Sequence, residues 1–300
     1  MLIYPDSSDL IDLCRGGAGV KISGLAQKLF AKSHRIALSF DTLIEVAAPL
    51  RDGRALEVRR DLNQLEELPH VFVNEGRILD TEIREALSAF EQQREYNVAA
   101  VAPFASRLDT AIDLHGAPQY VVEHMGSRPI RVQTEMIVNF RIWEIIQYVW
   151  NRDPEAFNVQ RRREPEWISL LESDRAMARP PTLRDHFVTV MSQNLKRHGI
   201  RPPAAGAEPF ARWVYESPLR CPGVRLVYET YHRFRRNRAA RPRASDLVDL
   251  TRLASVPYVD FFVTDAAMMD YCKQAAAEIG RPYQQLLGNF RTVMSHLSIG

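Results

Sequence analysis

Short apolar runs, three of them followed by segments of helical period, constrain this chain more than any other feature. They are Leu2-Ile-Tyr4, His34-Arg-Ile-Ala-Leu-Ser39, His70-Val-Phe-Val73 and Phe261-Phe-Val-Thr264. The last is too short for a helix and rich in β-branched and aromatic residues, so it reads as a core strand of a parallel sheet. Helical periodicity follows the first run at Leu10, Ile11 and Leu13, the second over Phe40–Ala48 and the third over Ile78–Phe90. This alternation predicts an α/β domain with a central, mainly parallel sheet. In open α/β sheets, ligands and catalytic groups collect in the crevice outside the carboxyl ends of the strands. Asp6 and Asp265 stand just beyond the carboxyl ends of the first and last runs, which makes both site candidates.

The strand signals occur only near the two ends of the chain. Between about Asn97 and Pro222 the sequence offers helical candidates at Thr134–Trp150, Pro154–Met177 and Leu183–Arg197, separated by scattered prolines. The reading is a domain split by an α-helical insertion: residues 1–95 and 225–300 form the α/β part, and 96–224 the insertion. Trp143, Trp150, Trp167 and Trp213 fall in the insertion at helical spacing, which assigns them to packing.

A hydrophobic fraction of 46% over 300 residues suffices to bury a core. No apolar run approaches the ~18 residues that span a bilayer, and Met1-Leu-Ile-Tyr-Pro-Asp6 lacks the pattern of a signal peptide, so a cytoplasmic chain without membrane contact is expected. Cys14, Cys221 and Cys272 are odd in number and widely spaced, which argues against a disulfide framework or a thiolate zinc site.

The net charge of +2 is unremarkable, but its distribution is not. Tyr231 to Arg243 holds six arginines, Arg233, Arg235, Arg236, Arg238, Arg241 and Arg243, interleaved with aromatic rings and without an acid. Guanidinium forks match phosphate oxygens, and rings stack on bases, so this run is the candidate nucleic-acid grip. It ends directly before Asp246.

Four acids from separate segments occupy comparable places: Asp6, Glu45 in the helix after the second strand, Asp246 at a helix start, and Asp265. Hard divalent cations such as Mg²⁺ or Mn²⁺ take such oxygen ligands, and they can polarise a phosphodiester while activating water. Asp260, just before the last strand, could join them through water or merely cap its turn. Asp249, one helical turn after Asp246, could face the same site or solvent, whereas Asp9, Asp12 and Asp41 read as surface or capping residues.

The motifs Ile3-Tyr-Pro-Asp6-Ser-Ser, Ser39-Phe-Asp-Thr-Leu-Ile-Glu45, Ser245-Asp-Leu and Tyr258-Val-Asp-Phe-Phe-Val-Thr-Asp265 resemble those of the PIN-domain nuclease family. The resemblance covers roughly residues 1–95 and 225–300 and leaves the middle unmatched. It implies a three-layer α/β/α PIN-like fold and a metal-dependent endoribonuclease acting on single-stranded or structured RNA. On that pattern Asp6, Glu45, Asp246 and Asp265 are the catalytic carboxylates, Asp260 is a further metal ligand, and cleavage leaves 5′-phosphate and 3′-hydroxyl ends. The insertion would then serve substrate choice, a protein partner or homo-oligomerisation. Two other readings stay open: an inactive PIN-like RNA-binding or scaffold protein, and the toxin of a toxin–antitoxin pair.

Overall fold

The computed structural model describes residues 1–16, 21–96, 98, 101, 103–106, 108, 119–122, 130–133, 141–152, 154, 157, 159–176, 182–197, 200–237, 239, 241–243, 245–280, 287–288, 293 and 295. Its first part runs β1 (Leu2–Tyr4), α1 (Ser7–Cys14), α2 (Ile22–Ala31), β2 (Arg35–Ser39), α3 (Phe40–Val46), α4 (Ala55–Glu66), β3 (His70–Val73) and α5 (Glu75–Glu91). The middle holds β4 (Phe104–Ala105), β5 (Gln119–Val122), β6 (Ile130–Gln133), α6 (Ile142–Arg152), α7 (Val159–Ala176), α8 (Leu183–Arg197) and α9 (Ala207–Glu216). The chain closes with α10 (Pro222–Arg236), α11 (Asp246–Arg252), a 3-10 segment Leu253–Tyr258, β7 (Phe261–Val263), α12 (Ala266–Ile279) and β8 (Leu287–Gly288).

The α/β expectation holds. A six-stranded sheet has the order β4-β3-β2-β1-β7-β8, parallel throughout except where β4 pairs antiparallel with β3. Side chains alternate across its strands, as the pleat requires. Ile3, Ile36, Leu38, Phe72, Phe261 and Val263 face one core, shared with Leu10 and Leu13 of α1, Leu43 of α3, Leu62 and Leu65 of α4 and Ile146 of α6. Tyr4, Ala37, Val71, Val73 and Phe262 face the other, shared with Leu226 and Phe234 of α10, Leu250 of α11 and Met268 and Cys272 of α12. Helices therefore cover both faces, and the burial on each side explains why these strands read as near-continuous apolar runs. No described helix is long and apolar enough to cross a membrane.

The middle of the chain departs from the helical insertion expected over 96–224. β4 joins the main sheet through Val73↔Phe104, and β5 pairs antiparallel with β6. β4, with two residues, carries no measurable period, and the sequence reading also missed the four-residue β5 and β6. α6 places Ile142, Trp143, Ile145, Ile146 and Val149 in the core beneath the first half of the chain, and α10 runs across the expected boundary at 224/225. The segment is thus woven into the α/β body. The expected helix over Thr134–Trp150 begins at Ile142, and residues 134–140 lie outside the described set.

A third core packs α8 and α9 against α5 and α10, with Phe187, Met191, Phe210 and Val214 at its centre. It is joined to the sheet by a buried polar knot at the start of α10. Glu82 of α5 accepts hydrogen bonds from the amides of Gly223 and Val224, each at 2.8 Å, and from the Tyr258 hydroxyl at 2.5 Å. An anion suits this end of a helix, where free amides and the helix dipole favour negative charge. Gly223 is required by the close approach, since a Cβ there would lie 2.6 Å from the Ala254 carbonyl oxygen.

Candidate functional site

The acids collect at the carboxyl edge of the sheet, where α1, α3 and α12 each start on a capping carboxylate or hydroxyl. Asp6 caps α1 by accepting from the Ser8 amide, and Ser39 caps α3 through the Thr42 amide. Glu45, one turn into α3, accepts from the Ser7 hydroxyl, which ties the ends of β1 and β2 together. Asp265 caps α12 through the Met268 amide at 2.8 Å. Asp246 opens α11 and accepts from the Arg243 amide at 2.6 Å. Such caps satisfy amides left without helical partners while fixing the carboxylates in place.

Asp246, Asp249 and Asp265 each bring a carboxylate oxygen within 4.8 Å of the others. Two guanidinium groups sit among them. Arg243 pairs with Asp246 at 3.2 Å and also reaches Asp265. Arg252, 1% exposed, pairs with Asp6 at 2.7 Å and Asp249 at 3.7 Å and donates to the Pro5 carbonyl at 2.7 Å. Its guanidinium carbon also lies 4.9 Å from the centre of the Tyr4 ring.

The protonation behaviour follows from this crowding. Burial pushes the Asp249 carboxyl up to about 7, with Asp6, Glu45 and Asp265 adding to the rise and Arg252 opposing it. Asp246 is also raised, by burial first and by Asp265, against the pull of Arg243. Burial works to raise Asp6 as well, but Arg252 and the Ser8 hydrogen bonds together outweigh it and hold the carboxyl below its ordinary value. Crowded carboxylates of this kind favour a bound cation. The donor set fits a hard divalent ion, with oxygens from three carboxylates; Thr264, the residue before Asp265 in sequence, has a buried hydroxyl without a hydrogen-bond partner.

Several expectations need correcting. Asp260 lies at the amino end of β7, 63% exposed, and accepts from the Leu2 amide at 2.6 Å. Asp265 is five residue steps further along a nearly extended chain, about 16 Å at 3.3 Å per residue, so Asp260 belongs to the opposite edge of the sheet. Arg235 is buried and contacts His232 at 3.0 Å, which removes it from any nucleic-acid surface. Arg233 is ion-paired with Glu278 at 2.6 Å. Arg236 is exposed at the end of α10, and Arg238 lies outside the described residues. Of the five described arginines of this run, Arg241 and Arg243 border the acids, lining a cavity of about 380 Å³ together with Phe234, Asp246, Asp265 and Tyr271.

Arg252 is the site residue that the sequence did not single out, and Asp249, left open between site and solvent, joins the cluster. Their signal was present, since Asp246, Asp249 and Arg252 follow one another at three-residue steps along one helix face. Asp9, read as surface, stands close enough to Asp6 for its carboxyl to rise to about 6, through burial and the charges of Asp6 and Asp12. The three cysteines are free and buried, as expected of reduced thiols. No family model, no curated protein and no solved structure matches this chain.

Proposed function

We propose that the protein is a metal-dependent phosphodiesterase that cleaves RNA, with a PIN-like three-layer arrangement of its α/β part. The observation that carries the reading is the meeting of Asp246, Asp249 and Asp265 at the carboxyl edge of the sheet, with Asp6 and Glu45 near enough to raise the Asp249 carboxyl. The resemblance of the four acidic motifs to those of PIN-domain nucleases supports the choice of phosphodiester and of RNA.

Asp246, Asp249 and Asp265 would hold Mg²⁺ or Mn²⁺, which supplies Lewis acidity toward the phosphate and makes water a nucleophile near neutral pH. Asp6 and Glu45 add negative charge beside the cluster, Asp6 through its ion pair with Arg252 and Glu45 through its hydrogen bond from the Ser7 hydroxyl. Arg241 and Arg243 line the adjoining cavity and are suited to bind phosphate oxygens of the strand, which positions the scissile bond over the acids. Displacement of Arg243 from Asp246 and Asp265 frees those two carboxylates and makes its guanidinium available to the phosphate.

The test is Mn²⁺-dependent cleavage of single-stranded RNA by the whole chain and by Asp265→Asn. Loss of cleavage in a folded variant is expected, and full activity there refutes the reading. One observation favours a non-cleaving RNA-binding scaffold instead: Arg243 already bridges two of the three clustered acids. On that reading the wild type binds RNA, shows no Mn²⁺ binding and cleaves nothing.

A further inference from the structure

Arg243 and Arg252 both neutralise acids of the site, but they differ in freedom. Arg243 is 57% exposed and reaches the carboxylates from the rim, so its side chain can leave. Arg252 has no such exit. It is 1% exposed at the last residue of α11, with one guanidinium nitrogen on Asp6, another on the Pro5 carbonyl and the Tyr4 ring packed against it. Moving it would strand the Pro5 carbonyl and leave Asp6 without its ion-pair partner, at a high desolvation cost for the buried guanidinium.

We infer that Arg252 is a built-in cation occupying the place of a second metal, so that the site takes a single divalent ion on Asp246, Asp249 and Asp265. The inference rests on the metal-dependent reading above. A two-metal site needs carboxylates to spare on both sides of a pair of ions about 4 Å apart. Here Asp6 is committed, one oxygen to Arg252 and the other to Ser8. The fixed guanidinium lies between Asp6 and Asp249, where a second divalent ion would meet like charge in a site screened from water. Asp6 therefore acts as a positioning residue, holding Arg252 against the cluster.

The experiment is Mn²⁺ titration of the whole chain, read as stoichiometry by calorimetry and as spin coupling between bound ions by electron paramagnetic resonance. The wild type is expected to bind one ion without coupling. Arg252→Met, which keeps apolar contact with Tyr4, frees Asp6 and should raise the count to two; combining it with Asp6→Asn, which restores charge balance, should return it to one. Two coupled ions in the wild type overturn the inference without any variant having to fold, and leave the metal-dependent reading intact. A folded Arg252→Met that still binds one ion also overturns it. Absence of any Mn²⁺ binding by the wild type overturns the site itself.

Discussion

Replacing Asp249 by asparagine should make the metal-free protein more stable while removing its response to metal. Asp249 is buried beside Asp6, Glu45 and Asp265, and its carboxyl is held at about 7 instead of the 3.8 it has when free. The folded state therefore keeps this proton more tightly than the unfolded chain. The sign follows by linkage: the contribution of Asp249 to stability is intact below about pH 4, declines as the pH rises and is fully lost above about pH 7. At 1.36 kcal/mol per pH unit the ceiling of that loss is about 4 kcal/mol. Asparagine has nearly the same shape and no charge to bury, so at pH 8 the variant should gain about 2–4 kcal/mol, with the difference closing toward pH 4. Urea unfolding in the presence of a chelator, run across this range, measures it. Adding Mn²⁺ at 100 times its dissociation constant should then stabilise the wild type by about 2.7 kcal/mol and leave the variant unmoved. A variant less stable than wild type at pH 8, or equal stabilisation of both by Mn²⁺, refutes the reasoning. Its expected behaviour is the ordinary exchange of stability for a site that crowds charge.

Two more outcomes bear on the framework and on the substrate path. Glu82→Ala strands the Gly223 and Val224 amides and the Tyr258 hydroxyl, and at about 1–3 kcal/mol for each buried donor it should cost roughly 3–9 kcal/mol in urea unfolding; a loss under about 1 kcal/mol counts against the knot at the start of α10. Arg241→Gln should weaken RNA binding by a similar factor for every sequence tested and lower the slope of log affinity against log salt by about one, whereas an unchanged slope removes Arg241 from the phosphate path.

What the sequence revealed of this molecule was what local pattern can carry. β1, β2, β3 and β7 are buried on both faces, so their residues form compact apolar runs, and an acid just past such a run lies at the carboxyl edge whatever the rest of the fold does. That logic put Asp6 and Asp265 at the carboxyl edge, whereas Asp260, made a metal ligand by the family resemblance, precedes its strand and so sits at the other edge. β4 and β8 have two residues each and leave no trace of period. Arg235 was misread because a dense basic run suggests a solvated face. On α10 it instead shares the inward side with His232, Phe234 and Arg225, all buried. The spacing of Asp246, Asp249 and Arg252 puts an arginine on the acidic helix face, but its pairing with Asp6 joins residues far apart in sequence, which no local pattern announces.

The place of β1 in the sheet also has a bearing on how the chain comes off the ribosome. β1 is a central strand, bonded to β2 on one side and to β7 on the other, and Leu2 and Asp260, which hydrogen-bond there, are 258 residues apart. Until β7 emerges, one edge of β1 is open to other chains, an exposure that favours early capture by chaperones or by the intervening helices. Asp6 and Glu45 are synthesised long before Asp246, Asp249 and Asp265. The meeting of Asp246, Asp249 and Asp265 therefore waits on synthesis of the segment through Asp265.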